Sequence, residues 1–183
     1  MAIVWVVLAL VLLVALYLLV TYNSVIKVRQ RIEAGWAQID VQLKRRHDLV
    51  PNLVETVKGY AAHEKETLDR VIAARNSALN AGSPGAKATA ESGLGASLKS
   101  LFALGEAYPD LKANQNFLQL QEELTATEDK IAYSRQYYND EVRAYNTKIL
   151  SFPTSLLAKR FRFASREYFQ TAGDERGPVQ VKF

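Results

Sequence analysis

The run "FLQLQEELTATEDKIAYSRQYYNDEVRAYNTKILSF", residues 117 to 152, places Phe117, Leu124, Ile131, Tyr138, Tyr145 and Phe152 at successive steps of seven. A step of seven returns to nearly the same face of an α-helix, so these side chains predict one long helix with a single buried stripe. Its companion row, Gln121, Glu128, Arg135, Val142 and Ile149, is half polar. Pro153 stops the helix, and Thr154 or Ser155 is the expected cap of a short helix over "LLAKRFRFASREYF", residues 156 to 169. The tail that follows has Gly, Pro and no helical period, and is expected to be loose or to add one strand.

The same spacing recurs upstream. Val25, Ile32, Ile39, Leu53 and Tyr60 form one row, and Trp36, Leu43, Val50, Val57, Val71 and Ala78 a second, interrupted by Arg46 and Glu64. This predicts one helix from the membrane to about residue 80. Pro51 lies inside it; without an amide hydrogen it leaves the carbonyl of His47 unpaired, so a kink is expected there, with that carbonyl seeking Lys, Arg or water. "NAGSPGAKA" (80–88) and "AYPDLKA" (107–113) are breaks, with a short helix rich in small residues between them. The expected fold class is all-α: an N-terminal transmembrane helix continuing into an antiparallel, up-and-down bundle of three helices, long and short, plus a short fourth. The expected domains are a transmembrane helix over 1–21, a bundle over 22–170 and a tail over 171–183. Helices so unequal leave stripe uncovered, and other copies of the chain are expected to cover it.

Residues 2 to 20, "AIVWVVLALVLLVALYLLV", carry no charge. A helix over them reaches roughly 28 Å, about the thickness of a bilayer core. A signal peptide would have a basic start, a shorter apolar run and a small-x-small cleavage site, and none of these is present. Lys27, Arg29 and Arg31 follow the span, close enough to meet anionic head groups, and their excess over the N-terminal flank places the bundle in the cytoplasm with the N-terminus outside.

Cysteine is absent, which excludes disulfides and thiolate metal sites. The net charge of +4 is spread along the chain rather than concentrated on a basic face, so nucleic acid is not an expected partner. His63-Glu64 is no zinc motif, because Thr67 stands where the second histidine would be. His47 and His63 are therefore expected to be solvated or locally bonded. Ser24-Val-Ile-Lys27 matches a β-lactamase-type nucleophile motif only formally, without the supporting elements. Neither cofactor nor metal is expected. For Arg46, Glu64, Glu128 and Arg135 two readings stand: a polar seam of buried ion pairs that fixes register, or rows at the edge of an interface. Lys44, Arg45, Asp48, Asn52 and Glu55 complete the candidate partner surface. "AKRFRFASREYF" (158–169) mixes basic and aromatic residues and could suit a membrane surface, but packing as the fourth helix is the favoured expectation.

The runs "YNSVIKVRQRIEAGWAQIDVQLKRRHDLVPNLVETVKGYAAHEKETLDRVIAARNSA" and "YPDLKANQNFLQLQEELTATEDKIAYSRQYYNDEVRAYNTKILSFP", after a single span, resemble the LemA family of bacterial membrane proteins over roughly residues 1 to 157. The resemblance implies a single-pass inner-membrane protein with a LemA-like helical bundle and no established catalytic activity. The family motif falls here on Asp40, Gln42, Arg45, Arg46, Asp48, Pro51, Asn52, Glu55, Lys58, Gly59 and Tyr60. The chain departs after Pro153, where Arg160-Phe161-Arg162-Phe163 stand in place of the usual Gly-Phe step. The expected function is that of a membrane-anchored, self-associating scaffold whose partners are the lipid bilayer, further copies of itself and a membrane-associated or cytoplasmic protein. The alternative is a sensor or regulatory adaptor that binds a cytoplasmic protein or small ligand in the polar seam.

Overall fold

A computed structural model describes residues 1–170; the expected loose tail or added strand, 171–183, lies outside the described residues. The regular elements among the described residues are six helices: α1 (Ala2–Lys58), α2 (Lys65–Asn80), α3 (Pro84–Ala107), α4 (Pro109–Lys112), α5 (Gln115–Leu150) and α6 (Thr154–Phe161). These form two compact units, one of residues 1–37 with 136–167, the other of residues 38–135 with 168–170.

The second unit is an up-and-down bundle of α1, α2, α3 and α5. It differs from the expected helix order because the helix predicted to reach residue 80 ends at Lys58. Lys58 supplies a basic last turn and Gly59 follows it, a pairing that favours helix termination. The chain turns over residues 59–64, with Tyr60 and Ala61 both donating to the Val57 carbonyl, and α2 runs back along α1. Val57 and Val71 are both fully buried, so the seven-residue register survives a turn that the periodicity could not reveal. Tyr60, expected in the stripe, is instead exposed.

α3 begins at a capped proline: Ser83 Oγ accepts from Ala86 N at 3.2 Å, and Pro84 occupies the first turn. α5 begins where Asn114 Oδ1 accepts from Phe117 N at 3.0 Å. The core joins Val50, Leu53, Val57, Leu68 and Val71 to Leu94, Leu98, Leu101, Phe117 and Leu124. Gly105 is buried against the Phe117 ring, which a Cβ there would approach to 3.0 Å. A residue that looks like a weak point in a helix is therefore the seat of an aromatic side chain.

In the first unit, α1 residues 21–37 run antiparallel to the end of α5. Trp36 and Tyr138 rings lie 5.4 Å apart, Arg31 pairs with Glu141 at 3.8 Å, and Lys148 Nζ donates to Ser24 Oγ. Residues 3–20 are exposed along their length, and burial begins at Thr21 and Val25. The stripe through Val25, Ile32, Ile39, Leu43, Val50, Leu53 and Val57 is covered within one chain. It is thus not the surface through which further copies would meet.

The short last helix stops at Phe161, where Arg162 takes a left-handed conformation (φ 55°), rather than running to residue 169. Asn146 holds the irregular chain beyond it, donating to the Arg166 carbonyl and accepting from its amide. The Tyr138 hydroxyl donates to the Glu167 carbonyl at 2.9 Å, and burial pushes that phenol above its ordinary pKa, the Arg166 charge partly opposing. Phe152, expected as the last residue of the α5 stripe, is 81% exposed because the helix has already ended.

Candidate functional site

The candidate site lies in the second unit, where α1, α3 and α5 converge on Arg46. Position 46 belongs to the apolar row of α1, so its side chain is carried inward with Ile39 and Leu53 and is only 5% exposed. Arg46 Nη1 faces Glu91 Oε2 of α3 at 3.4 Å, and Nη2 faces Glu128 Oε2 of α5 at 2.8 Å. The other Glu91 oxygen takes His47 Nε2 at 2.6 Å. A single buried carboxylate thus bridges two neighbouring side chains of α1, while the more exposed Glu128 closes the guanidinium from the rim.

Burying charges costs several kcal/mol per ion unless each finds partners, and this arrangement supplies them from three helices. Gly95 makes room: a Cβ there would stand 3.2 Å from Arg46 Nη2. The carbonyl of His47, which Pro51 cannot serve, accepts from Arg75 Nε at 2.8 Å, so α2 supplies the missing donor. α1 continues through Pro51 as one helix.

Over this cluster opens a cleft of about 490 Å3, with Arg46, Glu91, Lys99, Glu128, Arg135 and Phe169 among its lining residues. Its walls mix both charge signs with apolar surface. Such a lining is suited to holding a polar group by paired charges. Among the described residues no group of three or more His, Asp or Glu is placed to hold a metal ion.

Of the four residues read as a seam, the structure brings Arg46, Glu128 and Arg135 to one cleft and leaves Glu64 elsewhere. Glu64 accepts from the Tyr108 hydroxyl at 3.1 Å, and that bond with the carboxylate charge pushes the phenol above its ordinary pKa. The cluster is buried at Arg46 and Glu91 and open at Glu128. His47 corrects the expectation of a solvated or locally bonded ring, since it is buried and its partner is 44 residues away. Only His63 is exposed.

Lys44, Arg45, Asp48, Asn52 and Glu55 all stand on the exposed side of α1. Lys44 pairs with Asp48 at 3.1 Å, Arg45 with Glu123 of α5 at 3.4 Å, and Glu55 with Lys58 at 3.6 Å. Such exposed pairs contribute little to stability and leave the surface polar. In the first unit Lys27 is exposed, Arg29 pairs with Glu33 at 3.3 Å, and Arg31 faces Glu141.

Glu91 and the inward role of His47 were missed from sequence. A signal existed: Ala88, Glu91, Leu94, Leu98, Leu101 and Gly105 follow a spacing of three and four, so an acid stands in the buried row of α3. Its match is the base in the buried row of α1.

The family model for the LemA family matches residues 35–183. The chain belongs to the LemA family. The match includes every member of the buried cluster, and it extends past Pro153, where the sequence resemblance had weakened; the apolar N-terminal run precedes it. This LemA family chain is 28% identical over 185 residues to magnetosome protein MamQ 2 of Paramagnetospirillum magneticum, covering 86% of this chain and 68% of that one. It is 27% identical to magnetosome protein MamQ of Magnetospirillum gryphiswaldense with the same coverage. To protein LemA of Metamycoplasma hominis it is 27% identical over 163 residues, covering 87% of this chain and 73% of that one. With one helix among the described residues long and apolar enough to cross a membrane, this LemA family member is a membrane-associated helical protein.

Proposed function

We propose that the protein is a membrane-anchored helical scaffold, with its bundle on the cytoplasmic side of a bacterial inner membrane and its N-terminus outside. The observation that carries this is the continuity of α1, which is apolar and exposed over residues 3–20 and then supplies core residues from Val25 to Val57. One helix is both anchor and bundle wall, an arrangement suited to holding a rigid surface at a membrane. Lys27, Arg29 and Arg31 support the orientation, as expected for a basic flank retained inside. Relatives named as magnetosome proteins are components of a subcellular structure, which fits a scaffold role.

The scaffold works by association, with a second copy or with another protein. Exposed Val41, Leu118 and Tyr133 on α1 and α5 support self-association. Size measurement of the detergent-solubilised chain at micromolar concentration tests it: the expected particle holds two or more copies, and a strict monomer contradicts self-association. The alternative of a sensor or adaptor is favoured by the cleft over Arg46, whose mixed charges could receive a polar ligand or a partner's side chain. It predicts that Arg46→Ala abolishes crosslinks to a partner in the membrane fraction, whereas a purely structural Arg46 would alter only thermal stability.

A further inference from the structure

We propose that the corner between α5 and α6 is a second membrane contact, resting on the head-group layer of the bilayer that the N-terminal helix spans. The depth of the corner follows from contacts within the first unit. Lys148 of α5 meets Ser24 of α1, and the two helices run antiparallel, so each further residue of α5 moves ~1.5 Å toward the span. Leu150, at the end of α5, is therefore level with Tyr22, and the chain then continues toward the last apolar turn of α1. The return is fixed by Tyr22 itself, whose ring lies 5.0 Å from Phe161 and 5.8 Å from Phe163.

At this level the protein exposes what a water-facing corner would hide. Leu150 is 72% exposed, Phe152 81% and Leu156 63%, and Phe161 is half exposed. On α6 the buried face carries Thr154 and Ala158, leaving Leu156 on the outside, with Lys159 and Arg160 exposed on the following turn. Arg162 follows at the helix cap. Apolar side chains flanked by bases, at the height where a span leaves the bilayer, match an anionic lipid interface in both components: the acyl boundary for the first, head-group charge for the second. The alternation of Arg and Phe that departs from the usual Gly-Phe step thereby gains a role.

The inference rests on residues 2–20 being the span, and its test separates the two. The chain has no cysteine, so Leu12→Cys, Leu156→Cys and Tyr133→Cys each give a unique site for an environment-sensitive fluorophore on the full chain. In proteoliposomes of phosphatidylcholine and phosphatidylglycerol containing spin-labelled lipid, quenching is expected at residues 12 and 156 but not at exposed residue 133. Adding Lys159→Glu and Arg160→Glu should bring quenching at 156 toward the level at 133 while leaving 12 unchanged. Quenching at 12 without quenching at 156 overturns the membrane contact and leaves the span intact. Absence at both overturns the span and the contact together, and indifference of residue 156 to the charge reversals overturns the head-group attraction.

Discussion

Glu91→Ala is expected to lower the unfolding free energy by about 3–5 kcal/mol, because it removes the carboxylate shared by buried Arg46 and His47. For a chain of this size that corresponds to a fall in melting temperature of roughly 6–20 °C, read in detergent by circular dichroism. Glu128→Ala removes the shorter contact to the same guanidinium, at 2.8 Å, yet its effect should stay within about 1 kcal/mol. The difference lies in burial: Glu128 is 57% exposed, so water replaces it, whereas water cannot readily replace Glu91. A triple replacement by Arg46→Met, His47→Leu and Glu91→Leu should recover most of the loss, since no charged group of the cluster then remains buried. A Glu91→Ala protein as stable as the parent would show that the cluster is not what joins α1 to α3.

The second large effect concerns the anchor. Leu8→Arg combined with Leu12→Arg places two cations on adjacent turns of the exposed apolar run. Each costs about 2.5–3.5 kcal/mol near the middle of a spanning helix, roughly 5–7 together, enough to abolish insertion. The variant should move from the carbonate-washed membrane pellet to the soluble or degraded fraction, while the parent stays in the pellet. Retention of the variant would assign membrane attachment to another part of the chain.

How far the fold was legible in the sequence depends on which physical signal each element carries. The stripes were legible because burial imposes a period: Leu124, Ile131, Tyr138 and Tyr145 are buried as their spacing requires. The end of α1 at Lys58 was harder, because residues 57 and 71 keep the seven-residue step across a turn and the period conceals the reversal. Gly59 was the available signal, and a local stop outweighed periodicity. At Phe152 the reverse happened, and a numerical repeat was extended one step beyond the helix that gave it meaning.

The site was half legible. Arg46 stood out as a base in an apolar row, and the unpaired His47 carbonyl called for a donor that Arg75 supplies. Glu91 was obscured because its helix is built of small residues and glycines that read as weak helix formers. In the structure Gly95 and Gly105 are contact positions, where the absence of a side chain admits Arg46 and Phe117. Glu64 shows the limit of row membership, since the turn at residues 59–64 carries it to Tyr108 rather than to the seam.

Protease digestion of a C-terminally tagged chain in spheroplasts, before and after lysis, is the most direct measurement of an anchored bundle held inside the cell. The tag should survive in intact spheroplasts and be removed once they are lysed. Removal of the tag from outside, with a cytoplasmic marker still intact, would contradict the account.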